Sequence, residues 1–297
     1  MTSLILLDKP AGMTSFSAVN RAQRILNEQK GHSLAVRKAG HTGTLDPMAT
    51  GVLVILTNGA TRFIEFLPSH RKAYRAGFQL GLTTDTLDIT GQVLTRRPVN
   101  VTTEEIARAL EQFRGKIMQT PPMVSAIKQD GVRLYELARQ GKTVERPARE
   151  VEIFSLSLSE VDGEYFIDVA CSGGTYIRTL IDDLGEILGC GAAMTSLRRT
   201  EANGYPIERC ATLEQLERGE YSALPVEDAL GCYPQVAVTA PQATRFRNGG
   251  ALDIERLRLS DDFTEGSLLR VRHEQTFLGL GIIKENQLAI ARLLVPS

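Results

Sequence analysis

Long apolar runs are missing from this 297-residue chain. None approaches the roughly 18–20 residues that a membrane span requires. The N-terminus, MTSLILLDKP, has a short apolar stretch with no basic segment before it and no small-residue cleavage site. It reads as a first strand rather than a signal peptide. Cysteine and histidine are scarce, with four of each. Cys171, Cys190, Cys210 and Cys232 lie too far apart for a CxxC zinc site or a small disulfide scaffold. The expectation is reduced, structural thiols in a cytoplasmic protein and no structural metal. A Walker-type phosphate loop, internal repeats and low-complexity tracts are also absent.

Excess charge is lacking too: 34 basic and 35 acidic residues give a net charge of -1. Taken whole, that argues against strong nucleic-acid binding. The distribution is uneven, however. Residues 1–80 carry ten Lys/Arg against Asp8, Glu28, Asp46 and Glu65. A local basic face can hold a phosphate backbone on a neutral protein.

What is present is a hydrophobic content of 42 %, enough for a sizeable core. Leu4–Leu7 reads as a buried strand stopped by Lys9-Pro10. Ser15 is placed to cap a helix whose stripe comprises Phe16, Val19, Gln23 and Leu26, with Ala22 beside it. A polar loop over 31–50 leads into GVLVIL at 51–56, which could begin a helix or form a strand. Alternation from Lys72 predicts a strand with Tyr74, Ala76, Phe78 and Leu80 on its covered face. Thr102 and Glu105 form a capping box for a helix burying Ile106, Leu110 and Phe113. Residues 119–150 form an excursion, with a short helix expected at 134–139. Strands follow at 151–161 and 165–170. A strong apolar stripe from Ile177 to Leu188 then marks a helix ending at Gly189. Residues 213–218 and 226–230 read as short helices. After Cys232 the texture becomes that of a small β-rich domain, with strands at 270–273, 276–284 and 288–294.

Three segments carry chemistry. KAGHTGTLDPMATGVL (38–53) sets Asp46 in a glycine-bracketed loop, stiffened by Pro47 and directly before an apolar element. Such an Asp could be a catalyst or only a cap. CSGGTYIRTLIDDLG (171–185) places Tyr176 and Arg178 where a strand meets the strongest helix. An Arg facing Asp46 would hold that carboxylate ionised and oriented. KAYRAGFQLG (72–81) carries Tyr74, which on pattern alone could be ordinary core.

Together with LDKPAGMTS (7–15) and GLTTDTLDITG (81–91), these segments resemble, in order, the bacterial tRNA pseudouridine synthases of the TruB family. Those enzymes convert uridine 55 in the T stem-loop. The resemblance covers residues 3–230 and, more weakly, 235–297. It implies an α+β fold: a pseudouridine synthase domain (1–232) with a mixed, mainly antiparallel central sheet and flanking helices, and a small β-rich PUA-like domain (235–297). Residues 119–150 resemble an RNA-clamping insertion. The resemblance makes Asp46 the catalytic aspartate, Tyr74 the active-site tyrosine, and Arg178 the ion-pair partner of Asp46. It puts Tyr176, Leu197 and Thr44 in the base pocket and has His41 fill the gap left by a flipped nucleotide. Lys9 and Pro10 fall in the N-terminal motif that supports the loop, with Lys9 also among the residues expected at the substrate. The implied partner is tRNA, bound by a monomer, with no protein partner, membrane or cofactor.

Within the same chemistry a different uridine or a different RNA stays open, and two other readings compete. One is a non-catalytic RNA-binding or RNA-folding protein in which Asp46 is only a cap. The other is a glycosidic hydrolase, which ordinarily needs two cooperating carboxylates. The nearest acids, Asp85 and Asp88, read as parts of a solvated turn.

Overall fold

The computed structural model describes residues 2–30, 35–67, 71–125, 128–129, 132–133, 144–257 and 263–295. The helix expected at 134–139 lies outside them. A ten-stranded sheet organises the first 230 residues. β1 (Leu4–Lys9), β2 (Ala39–His41), β3 (Thr50–Thr57) and β4 (Lys72–Leu80) belong to it. Across the sheet the order is 223–224, β1, β3, Ala192–Ala202, β4, Glu164–Cys171, Arg149–Val161 and Gly115–Gln119. All of these neighbours are antiparallel except β3 and Ala192–Ala202. The apolar run 51–56 is therefore a strand, buried on both faces, which is why it shows no alternation.

Helices cover both faces. On one side α1 (Ser15–Lys30) buries Ala18, Val19, Ala22, Ile25 and Leu26 against Ile5, Leu7, Leu53 and Ile55. On the other, the Ile177–Ile187 helix sets Ile177, Leu180, Ile181 and Leu184 against Tyr74, Ala76 and Phe78. The expected capping box at Thr102 is formed, and Ile106, Leu110 and Phe113 are buried as anticipated.

Several local expectations need correction. Phe16 is 71 % exposed and Gln23 only half-buried, because the buried stripe of α1 adds Ala18 and Ile25 to the expected Val19, Ala22 and Leu26. Ser15 does not cap α1. Its hydroxyl exchanges hydrogen bonds with the Leu45 backbone, while Thr14 accepts from the Ser17 N–H at the helix start. Ile187 and Leu188 at the other helix's end are exposed or half-buried. The expected helix at 226–230 is a single 3-10 turn, Asp228–Leu230.

Residues 235–293 contribute a separate five-stranded sheet. Its order is Gln235–Ala237, Leu268–His273, Thr276–Lys284, Gln287–Leu293 and Leu252–Asp253. The 240–247 helix that packs on it was not expected, although Thr239 and Gln242 form a capping box. Phe277 and Leu280 on this sheet pack into an apolar cluster with Leu4, Val54 and Phe63 of the larger one. The Phe63 and Phe277 rings lie 5.8 Å apart. All four cysteines are free. Among the described residues no helix is long and apolar enough to cross a membrane.

Candidate active site

The loop between β2 and β3 carries Asp46, and four contacts pin it. The Ser15 hydroxyl brackets Leu45. The Gly12 N–H donates to the Pro47 carbonyl at 2.9 Å, and the Ala49 N–H donates to the Asp46 carbonyl at 3.1 Å. Lys9 is fully buried at the end of β1, its ammonium donating to the carbonyls of Pro10, Met13 and, more distantly, Pro47. Burial pushes Lys9 down to about 8, against the pull of Asp46. Lys9 therefore ties the N-terminal motif to the loop that carries Asp46, as the motif suggested. Lys9 is not among the residues that line the cavity beside Asp46.

Gly51 is obligatory where the loop enters β3. Its φ is +104°, and a Cβ there would stand 2.1 Å from the Arg199 carbonyl oxygen. Only glycine allows the two strands to approach so closely.

Asp46 faces a cavity of about 310 Å³, a size suited to a small organic group. Thr44, Lys72, Tyr74, Tyr176, Arg178 and Leu197 are among its lining residues. Thus six of the eight site residues expected from sequence line it (Thr44, Asp46, Tyr74, Tyr176, Arg178 and Leu197). His41 lies just outside, half-buried at the end of β2 beside Arg199 and Lys72.

The Arg178 Nε stands 3.0 Å from Asp46 Oδ2. Only 3 % of the arginine side chain is exposed, against about a third (36 %) of Asp46. The carboxylate is thus open on the cavity side and crowded elsewhere. Burial raises its pKa above the usual carboxylate range, Arg178 pulls it down, and Asp88 pushes it up again.

Arg178 is held from behind as well. Its Nη1 donates to the Thr86 carbonyl at 2.9 Å and its Nη2 to the Val124 carbonyl at 3.0 Å. Asp88 Oδ2 lies 3.8 Å from Nη1. Contrary to expectation, Asp88 is buried, accepting hydrogen bonds from the Thr86 hydroxyl and the Thr90 N–H. Asp88 and the Thr86 carbonyl turn inward onto Arg178, while Asp85, Ile89 and Thr90 of the same turn face solvent.

Two further residues escaped the sequence reading. Gln119 clamps the Tyr176 backbone: its Nε2 donates to the Tyr176 carbonyl and its Oε1 accepts from the Tyr176 N–H. This fixes the Tyr176 ring, over which the Arg149 guanidinium lies at 5.2 Å. Arg199, on the Ala192–Ala202 strand, is the cross-strand neighbour of Tyr74 and is fully buried. It donates to the carbonyls of Val52 and Gly43. Burial raises the Tyr74 pKa, with Arg199 opposing, so the phenol keeps its proton at neutral pH.

Among the described residues Asp46 is the one carboxylate lining the cavity. An oriented anion, two tyrosines and a leucine wall suit a planar ring lying beside a carboxylate. Among the described residues no group of three or more His, Cys, Asp or Glu is disposed to hold a metal ion.

Comparison with known proteins gives a consistent picture. Residues 31–177 match the model of the TruB family pseudouridylate synthase N-terminal domain. Residues 178–231 match a tRNA pseudouridylate synthase B C-terminal domain, and 234–294 match a pseudouridine synthase II TruB C-terminal model. The tRNA pseudouridine synthase B of Stutzerimonas stutzeri (strain A1501) is 41 % identical over 307 residues, covering 100 % of this chain and 96 % of that one. That of Actinobacillus pleuropneumoniae serotype 5b (strain L20) is 43 % identical over 290 residues, covering 94 % and 91 %. Among solved structures, a chain of a Cbf5-Nop10-Gar1 complex superposes with a TM-score of 0.73 at 26 % identity, over 99 % of this chain and 85 % of that one.

Proposed function

The chain belongs to the TruB family of pseudouridylate synthases, and from that premise we propose that it isomerises uridine 55 in the T stem-loop of tRNA to pseudouridine. One observation carries the residue assignment: the ion pair of Asp46 with the buried Arg178, at a cavity walled by Tyr74, Tyr176 and Leu197.

The reaction breaks the N1–C1′ bond, turns the uracil over and joins C5 to C1′. The proton lost from C5 is balanced by one gained at N1. Nothing is oxidised or reduced, so the balance needs no redox cofactor or nucleotide energy source. The uridine must first leave its stack, at a cost of a few kcal/mol that stacking and hydrogen bonds in the pocket offset. Tyr74 supplies a ring face, Leu197 an apolar wall, and His41 fills the space left in the loop. Stacking of this kind contributes roughly 1–3 kcal/mol per base. Asp46 acts as the anion, and Arg178 keeps it charged and aimed at the base or at C1′.

On this reading residues 1–232 form the catalytic domain, 119–150 its RNA-clamping insertion, and 235–297 an RNA-binding domain. The protein works as a cytoplasmic monomer on tRNA without a protein partner. RNA is held through shape and phosphates by the basic N-terminal face. The buried position of Asp88, behind Arg178 and off the cavity, counts against hydrolysis. Among the described residues it leaves Asp46 without the second carboxylate that a glycosidase uses.

The test is site-resolved mapping of an unmodified tRNA after incubation with the pure protein. Pseudouridine at position 55 is expected. Free uracil with an abasic site would select hydrolysis, and a modification elsewhere would overturn the choice of uridine.

A further inference from the structure

Beside Tyr74, and not used by the chemistry above, lies a group of positive side chains with no matching carboxylate among the described residues. A Cβ built on Gly43 would stand 3.0 Å from Lys72 Nζ and 3.6 Å from Arg199 Nη1, so the two cations converge on one point of the loop. Among the described residues neither has a carboxylate within ion-pair distance, whereas Arg198, next in sequence, is paired with Asp8.

The two cations differ in access. Arg199 is fully buried. Its Nε and Nη2 are used by Val52 and Gly43 and the guanidinium also faces the Tyr74 hydroxyl, while among the described residues its buried Nη1 has no well-formed hydrogen bond. Lys72 opens the first residue of β4 and lines the cavity. Burial and then Arg199 push Lys72 down to about 8. His41 is pushed down by burial, then by Arg199 and by Lys72. These shifts report like charges held together in a partly dry corner, an arrangement that an incoming anion relieves.

We propose that Lys72, backed by the field of Arg199, is a phosphate-binding subsite that receives a phosphodiester flanking the nucleotide drawn into the cavity. The proposal rests on the reading of the substrate as RNA. A base inserted between Tyr74 and Asp46 brings its own backbone to the cavity rim, which Lys72 lines on the Tyr74 side, across from Arg149 beside Tyr176. A lysine ammonium suits this role, since it acts as a point charge that tolerates a range of phosphate orientations. Arg199 stays fixed to the backbone and makes the potential more positive. Gly43 leaves room for the phosphate and for the ammonium that meets it. The contact would thus draw the extruded nucleotide toward Asp46 through its backbone, while Tyr74 and Leu197 hold the base.

The test is a double-mutant cycle between protein and RNA. T stem-loop oligomers carry one uncharged methylphosphonate, either 5′ or 3′ of the target uridine. Each has a 2′-O-methyl group beside the linkage and is compared with a matched phosphodiester control. Affinities are measured for the full-length wild type, Lys72→Gln and Gly43→Ala. In the wild type one of the two methylphosphonates should weaken binding about ten-fold, the scale of a lost charge-assisted hydrogen bond. Lys72→Gln should lose a similar factor on the control RNA, and the same methylphosphonate should then cost it less than about two-fold. Its salt dependence should fall by about one counterion. Gly43→Ala, whose Cβ displaces the ammonium, should lose part of the same sensitivity. The proposal is overturned if neither methylphosphonate weakens the wild type, or if both weaken Lys72→Gln as much as the wild type. Pseudouridine formation by the wild type on an unmodified oligomer is scored separately. Its absence would sink the functional reading, whereas the binding cycle reports on the subsite alone.

Discussion

At the scale of single residues, the site works by opposing influences on one carboxyl group. Burial and Asp88 raise the Asp46 pKa while Arg178 lowers it. Because the proposed chemistry needs the anion, the rate should fall as pH drops through a value above the ordinary carboxylate pKa of about 3.9. Replacing Arg178 with Gln removes a lowering influence, so the Asp46 pKa climbs further. The acidic limb of the single-turnover pH–rate profile should then move to higher pH. A limb that stays put, or moves to lower pH, would show that Arg178 does not keep Asp46 ionised. The sequence disclosed Asp46, Tyr74 and Arg178 because they stand in recognisable segments. Asp88 and Arg199 were not legible, since a charged residue in a polar stretch ordinarily faces water. Only the folding of the 85–91 turn onto Arg178, and of the Ala192–Ala202 strand between β3 and β4, buries them.

Elements matter next, because the Asp46 loop is aimed by strands rather than by its own contacts alone. The Ala192–Ala202 strand lies between β3, which follows Asp46, and β4, which carries Tyr74. It went unrecognised for a physical reason. Bulges at Met194/Ser196 and Arg199/Glu201 break the period of two, and two successive arginines disguise its buried face. β4 and the Thr102 helix were legible because their periods run uninterrupted. Gly51 pairs with Arg199 of the Ala192–Ala202 strand and has no room for a Cβ against that residue's backbone. Gly51→Ala should therefore lower stability by on the order of 3 kcal/mol or more, combining a positive φ with a backbone clash. Urea denaturation followed by circular dichroism measures this. An unshifted midpoint would mean that the strands can separate without cost.

The whole molecule is tied together by an apolar cluster shared between its two sheets. Phe277 and Leu280 of the smaller sheet pack with Phe63, Leu4 and Val54 of the larger. Tyr233 adds a hydrogen bond from its hydroxyl to the Phe66 carbonyl. Deleting residues 235–297 would uncover this cluster, so such a deletion tests stability as much as RNA affinity. Phe277→Ala should destabilise the chain by about 3 kcal/mol, the usual cost of an emptied aromatic site. Calorimetry should show the main transition itself moving down. If only a minor transition moved, the two sheets would be unfolding independently. The β-rich character of this C-terminal region was readable from its strands and turns. Its packing partner was not, because Phe277 looks like any other strand residue until the topology brings it to Phe63.

The central claim, that the charge on Asp46 carries the chemistry, is met most directly by Asp46→Asn. This change keeps the side chain's shape while removing its charge. With the variant in excess over unmodified tRNA, site 55 should remain uridine throughout, while tRNA affinity stays within a few-fold of the wild type. Pseudouridine accumulating at that site at a rate near the wild type's would contradict the account.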